Sequence, residues 1–173
     1  MNTVTTRRSG LVPFMIGPNG EVLVGVVRSL NGKDWVFPKG HIDPFDLDDE
    51  RITAIREARE EMGIKCVIIG DPVTHMFDDP ISGKFSQFQI VCSLYPAVVE
   101  GNGDQVDQRE SEFLIIQDAH TRLTYPSHRI AMVTLFGKYQ TSLYDLAYRI
   151  EDQKEREREA AVQADRSTDH PAK

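Results

Sequence analysis

Apolar positions between residues 9 and 30, "SGLVPFMIGPNGEVLVGVVRSL", fall into two runs rich in Val, Ile and Leu, broken by "GPNG". Pro18, Asn19 and Gly20 are turn formers, so the pattern predicts a β-hairpin. A second turn, "NGKD", precedes the short apolar piece "WVFP". Lys39, Gly40 and His41 then open an irregular acidic loop, "HIDPFDLDDE". Pro44 holds the residue before it extended, and Asp48 or Asp49 can cap a helix by accepting a bond from a first-turn N–H. The helix is expected from about Glu50 to Met62, stopped by a left-handed Gly63.

Further along, "KCVIIG", "VTHMFDD" and "FSQFQIVCSLYPAVV" read as strands, with "DPISGK" as the turn joining the last two. The acidic "EGNGDQVDQRESE" reads as a loop and "FLIIQ" as another strand. Ser127 is positioned to cap a helix from His128 to Phe136, ended by Gly137. A last helix begins near Ser142, with Leu143, Leu146, Ala147 and Ile150 recurring on one face that should dock on the domain. From Glu151 onward nearly every residue is charged or small, which predicts a solvated helix fraying into "RSTDHPAK". The alternative role for that segment is an oligomer contact, which would make the protein a homodimer. The division expected is a domain over residues 1–150 and a charged extension over 151–173. Strand pairs joined by tight turns and interspersed with helices predict an α/β (α+β) sandwich, a mixed, partly antiparallel sheet with helices on its faces.

Composition then narrows the function. The chain has 173 residues, 40% of them hydrophobic, which suits one globular domain with a tail. Its 20 Lys and Arg against 27 Asp and Glu give a net charge of −7. That balance argues against attachment to duplex nucleic acid or an anionic membrane, so a polyanionic ligand needs a local basic patch or a bound cation. No apolar run approaches the roughly 20 residues that span a bilayer, and "MNTVTTRRSG" lacks a signal-peptide core. With only Cys66 and Cys92, a disulfide framework or zinc site is not expected, and a cytoplasmic location fits.

The chemistry concentrates in "REAREEMG", residues 56–63. At about 100° per residue, Ile52, Ile55, Ala58 and Met62 share one side of the helix and Glu57, Glu60 and Glu61 an arc of about 100° on the other. Clustered carboxylates repel, and exposed pairing with Arg56 or Arg59 compensates by only about 0.3–0.5 kcal/mol. A hard divalent cation would relieve the repulsion and leave positions open for phosphate oxygens. A plain solvated acidic face is the competing reading.

"WVFPKGHIDPFDLDDERITAIREAREEMGI" resembles the signature of the Nudix hydrolase family: a Gly, five residues, a Glu, seven residues, then Arg-Glu-U-x-Glu-Glu-x-Gly-U, with U aliphatic. Arg56, Glu57, Glu60, Glu61 and Gly63 match in register, Ala58 and Ile64 take the U positions, and Gly40 is the leading glycine. The likeness extends over roughly residues 8–150 and implies the Nudix α/β/α sandwich. Between Gly40 and Arg56 there are two residues more than the pattern, and the first Glu is missing. Asp46, counting forward, or Asp48, counting backward, stands in its place.

The resemblance implies Mg²⁺ or Mn²⁺ held by Glu57, Glu61, Glu60 (directly or through water) and the Gly40 carbonyl, with Arg56 orienting the glutamates. It implies attack of a metal-activated water on a pyrophosphate linkage, with a signature Glu (Glu57 or Glu60) or a later acid as base; Glu110 and Glu112 are candidates for that later acid or for an extra metal ligand. Lys39 is a candidate phosphate contact, as are Arg28 and Lys33. Trp35, Phe77 and Phe88 are candidates for stacking on a base, and His41 for reaching substrate. The segment "FPKGHIDP" is closest to Nudix hydrolases of diadenosine and diphosphoinositol polyphosphates, so a small-molecule nucleotide or other pyrophosphate is the expected partner, dinucleoside polyphosphates favoured. The alternative is an inactive Nudix-like nucleotide-binding module.

Overall fold

The computed structural model describes residues 4–78 and 88–168. The first two strands, β1 (Val4–Ile16) and β2 (Val22–Arg28), form the expected antiparallel hairpin, with Phe14 opposite Val24, and Gly20 of its turn takes φ 82°. Two short strands follow, β3 (Trp35–Val36) and β4 (Lys39–His41), then a 3-10 turn at Pro44–Asp46 and helix α1 (Glu50–Met62). Strands β5 (Ile64–Ile68), β6 (Val73–Asp78), β7 (Phe88–Asn102) and β8 (Ser111–Ile115) precede helices α2 (Ile116–Arg122) and α3 (Pro126–Thr168). The expected turn at "DPISGK" lies outside the described residues.

The sheet runs β3-β2-β1-β7-β5, with β4 also on β1, β6 on β7 and β8 on β2. β1 and β7 pair in parallel over Val4–Phe14, and every other pairing is antiparallel. Neighbouring residues of a strand point to opposite faces, and the core divides accordingly. Leu11, Val27, Val36 and Tyr95 pack beneath α1 with Ala54, Ala58 and Met62. Val12, Val26, Phe37 and Leu94 pack beneath α2 and α3 with Leu123, Met132, Leu135 and Leu143. The result is a mixed α/β sandwich, helices on both faces of one open sheet.

Four departures from the sequence pattern have physical reasons. Strand β4 lies in the stretch expected to open the acidic loop, and it rests against β1 because Gly10 carries no side chain: a Cβ there would sit 2.2 Å from the Pro38 carbonyl oxygen. Strand β7 continues to Asn102, past the expected start of the loop, because β5 offers it partners as far as Ile64. Helix α2 replaces the end of "FLIIQ". Helix α3 starts at Pro126, where a missing N–H costs nothing, and does not stop at Gly137. A Cβ at Gly137 would meet nothing within 4 Å, so neither a close contact nor a left-handed backbone makes it a terminator.

Helix α1 matches its expected bounds. Asp49 caps it, accepting from the Arg51 N–H at 2.8 Å, and Gly63 ends it at φ 66°. Its buried face is a correction. Thr53, Ala54, Ala58, Glu61 and Met62 are buried, while Ile52 and Ile55 are 43% and 39% exposed. The buried face is turned by about a quarter of a revolution toward the glutamates. Small Ala54 and Ala58 let the helix lie close on the sheet, which carries Glu61 inward with them.

In α3, Leu143 and Ala147 are buried and Leu146 and Ile150 pack beside them, as their spacing predicts. From Glu151 to Gln163 the side chains are almost all exposed.

Candidate active site

The loop before α1 is organised around one guanidinium. Arg56 donates through Nε to Asp46 Oδ1 and Oδ2 (3.0 and 3.2 Å) and through Nη2 to Oδ2 (2.9 Å). Its Nη1 reaches Glu57 Oε1 at 2.8 Å and Glu60 Oε2 at 2.9 Å. Asp46 is 3% exposed and also accepts from the Thr53 hydroxyl at 2.7 Å. These bonds from Arg56 hold its carboxyl down to about pKa 2 and raise the guanidinium in turn. Asp46 is therefore the acid that meets the signature arginine, and Asp48 is not. The six-position step from Gly40 is kept, and the extra residues, Leu47 and Asp48, sit consecutively in left-handed backbone at φ 55° and 57°.

Glu57 lies against the glycine that the motif places opposite it. A Cβ on Gly40 would come within 2.0 Å of Glu57 Oε1 and within 2.6 Å of Oε2, so any side chain there would displace the Glu57 carboxylate from this position. Strand pairing of Gly40 with Ser9 fixes that backbone in place. Burial raises the Glu57 pKa, against the pull of Arg56.

Glu61 is 3% exposed. Its Oε1 accepts from Arg109 Nη1 at 2.5 Å and its Oε2 from the Lys39 backbone N–H at 3.3 Å. Desolvation outweighs the Arg109 charge and pushes its pKa up to about 7. A group so poised beside a cleft is a functional-site candidate on physical grounds.

Glu57, Glu61, Gly40, Lys39 and His41 line one cleft of about 1020 Å³. Burial lowers the Lys39 pKa, with Glu61 among the groups opposing the shift. Arg28, Glu60 and Glu112 do not line it. Arg28 pairs with Glu110 at 3.2 Å and lies 4.4 Å over the Trp35 ring; Glu112 pairs with Arg122 at 3.3 Å. Trp35 is 5% exposed, in the core between Arg28 and Arg122. Lys33 is exposed outside the cleft, and the side chains of Phe77 and Phe88 fall outside the described part of the structure.

The cleft also gathers residues that carry no motif: Arg8, Asp43, Arg109, Tyr125 and His128. His128 is 2% exposed, its Nδ1 accepts from the Phe37 N–H at 3.3 Å, and burial holds its pKa well below the ordinary histidine value. Tyr125 donates to Asp34, also a lining residue, at 3.0 Å. Arg8 reaches the site because β1 pairs Arg8 with His41, a register invisible before the fold is known.

Among the described residues no three His, Cys, Asp or Glu side chains already stand as a closed metal-binding group. The donor set nonetheless suits a hard divalent ion: two carboxylates, Glu57 and Glu61, face one cleft beside a glycine backbone with no side chain in the way. Protein cations, Arg56 and Arg109, now occupy part of their bonding capacity.

The chain matches the NUDIX domain family over residues 5–136, and it belongs to that family. Its class is accordingly that of the Nudix pyrophosphohydrolases. Among solved structures it is similar to an Ap4A hydrolase of C. elegans, determined as a binary complex, at 20% identity and TM-score 0.63, covering 79% of this chain and 98% of that one. It also resembles the NUDIX domain of Shewanella oneidensis NrtR complexed with ADP ribose, at 14% identity and TM-score 0.63, covering 78% and 88%. The M. smegmatis Nudix hydrolase RenU aligns at 16% identity and TM-score 0.58, covering 80% and 88%. At these identities the likeness is one of fold. No curated protein sequence matches significantly. Among the described residues no helix is long and apolar enough to cross a membrane.

Proposed function

We propose that the protein hydrolyses a pyrophosphate linkage in a nucleoside diphosphate linked to another moiety, with dinucleoside polyphosphates favoured, using Mg²⁺ or Mn²⁺. The observation that carries this reading is the pair of partly desolvated carboxylates, Glu57 and Glu61, sharing one cleft with Gly40 and Lys39. A divalent ion bound there supplies a water of lowered pKa and neutralises charge developing on phosphate oxygens.

Their surroundings support the following roles for the protein groups. Glu57, Glu61 and the Gly40 carbonyl would hold the ion. Glu60, turned to Arg56, acts through water. Arg56, clamped by Asp46, positions Glu57 and Glu60. Lys39 meets a phosphate oxygen as a point charge. Glu112 pairs with Arg122 outside the cleft, which favours Glu57, the candidate base that lines it, with Glu60 set back on Arg56. The fold likeness to an Ap4A hydrolase supports the preferred substrate class only as analogy.

The test is a panel of dinucleoside polyphosphates, nucleotide sugars, ADP-ribose, nucleoside triphosphates and inositol pyrophosphates with Mg²⁺ or Mn²⁺ and product identification. Glu61→Gln should lower turnover about a hundredfold or more with the fold retained. Unchanged turnover in that variant overturns the site assignment. Saturable binding with no cleavage of any panel member overturns the enzyme in favour of a binding module. Cleavage confined to other substrates overturns the dinucleoside preference.

A further inference from the structure

The loop after β7 is fastened to the C-terminal end of the glutamate helix. The Val106 and Asp107 N–H groups donate to the Glu60 carbonyl at 2.9 and 3.0 Å, and the Gly103 N–H donates to that of Gly63 at 2.7 Å. Gln105 Nε2 bridges the Glu61 and Arg109 carbonyls, 2.8 Å from each. These bonds satisfy carbonyls that a helix end otherwise leaves without partners, and they deliver Arg109 to the Glu61 carboxylate. Its guanidinium bonds Glu61 through Nη1 and Asp107 through Nη2 at 2.7 Å. The Arg109 side chain is only 16% exposed, and its buried Nε has no hydrogen-bond partner among the described residues.

A guanidinium placed on a carboxylate with one donor unmet is a resting arrangement that an incoming anion could improve. Arg109 occupies Glu61 Oε1, an oxygen that a metal ion bound by Glu61 would also call on. Resting on the assignment of Glu57 and Glu61 as ion ligands, we propose that Arg109 is a resident counter-cation: it holds Glu61 while the ion is absent, gives up the carboxylate when the ion binds, and turns its freed guanidinium to a substrate phosphate. Arginine suits this exchange because its planar fork binds carboxylate and phosphate alike. Ion binding and the placement of the 103–109 loop are thereby coupled.

The test measures Mn²⁺ affinity without substrate, from the paramagnetic resonance of the free ion. Removing the competitor in Arg109→Gln should tighten Mn²⁺ binding about tenfold, the effect of freeing one charged hydrogen bond, and should raise KM more than it lowers kcat. Unmodified protein gives a second readout that does not depend on the variant folding. Added Mg²⁺ should shift the Arg109 Nε–Hε resonance together with the Glu61 carboxyl carbon. Equal Mn²⁺ affinity in the two proteins, or an Arg109 resonance that stays fixed while Glu61 moves, overturns the role of Arg109 alone. Absence of Mn²⁺ binding in both proteins overturns the hydrolase reading with it.

Discussion

Asp46 and Arg56 are joined by three hydrogen bonds, and through them a 3-10 turn outside the helix fixes the aim of two helical glutamates. The Asp46 pKa falls from 3.8 to about 2, chiefly through its bonds from Arg56. A depressed carboxyl contributes stability that is present above its unfolded value and lost as pH falls through the folded one. Asp46→Asn should cost about 2 kcal/mol at neutral pH. The gap from wild type should close as pH drops from about 4 to about 2, read by urea unfolding at each pH. A gap constant through that window would mean that the carboxylate charge contributes nothing.

Leu47 and Asp48 hold left-handed backbone side by side, which is unfavourable for residues other than Gly, Asn and Asp. Leu47 is 81% exposed, so packing does not compensate it. Leu47→Val, whose branched Cβ crowds this conformation further, should lower stability by about 1 kcal/mol. Leu47→Gly should leave stability equal or slightly higher, relief of strain offsetting the freer unfolded chain. Equal unfolding midpoints for the Val and Gly variants would show that the turn is not strained.

The sequence made the helix, its Asp49 and Gly63 caps, and the glutamates legible because each rests on local chemistry at fixed spacing. It also made the β1–β2 hairpin and the docked face of Leu143 and Ala147 legible, since periodicity reports burial on one side. It left Asp46 and Asp48 undecided, because the choice depends on where two extra residues are absorbed, and backbone conformation settles that. Arg8, Arg109, Tyr125 and His128 escaped because sheet register and loop docking bring them to the cleft, from positions 8 to 128. The sequence pattern sets the glutamate arc opposite the core because Ile52 and Ile55 dominate the apolar side of the helix, yet both are exposed and Ala54 is buried. In the folded chain close helix-to-sheet approach favours alanine.

Glu61 gives the opposite pH signature to Asp46. Burial raises its pKa from 4.5 to about 7, so the native state binds the proton more tightly than the unfolded chain. Its contribution to stability is complete below about pH 4.5 and is lost as pH rises to about 7. In EDTA, wild type should lose stability relative to Glu61→Gln across that window, measured by urea unfolding. Saturating Mg²⁺ should remove the slope, because the ion selects the carboxylate form. Parallel curves in EDTA would contradict the raised pKa.

His128 is a buried residue of the cleft lining. It is stacked on Phe37 with ring centroids 5.4 Å apart, and its Nδ1 takes the Phe37 N–H. Because that nitrogen accepts, the ring serves here in its neutral form, as its lowered pKa requires. His128→Leu keeps much of the packing but strands a buried N–H, which should cost about 1–3 kcal/mol. His128→Asn, whose side chain retains an acceptor, should recover part of the loss if it reaches the same N–H. Thermal unfolding of the pair checks this, and equal losses would assign the effect to packing alone.

Gly137 isolates the difference between a helix stop and a helix interior. Read locally it ends one helix before another begins, yet α3 passes through it without a break. Its absent side chain protects no contact, since a Cβ would meet nothing within 4 Å. Glycine in a helix interior costs roughly 0.5–1 kcal/mol relative to alanine, through the freedom it restores to the unfolded chain. Gly137→Ala should therefore raise stability by about that amount with helical circular dichroism unchanged or slightly increased. A loss of stability would instead mean that the chain turns at residue 137, with two separate helices in place of one.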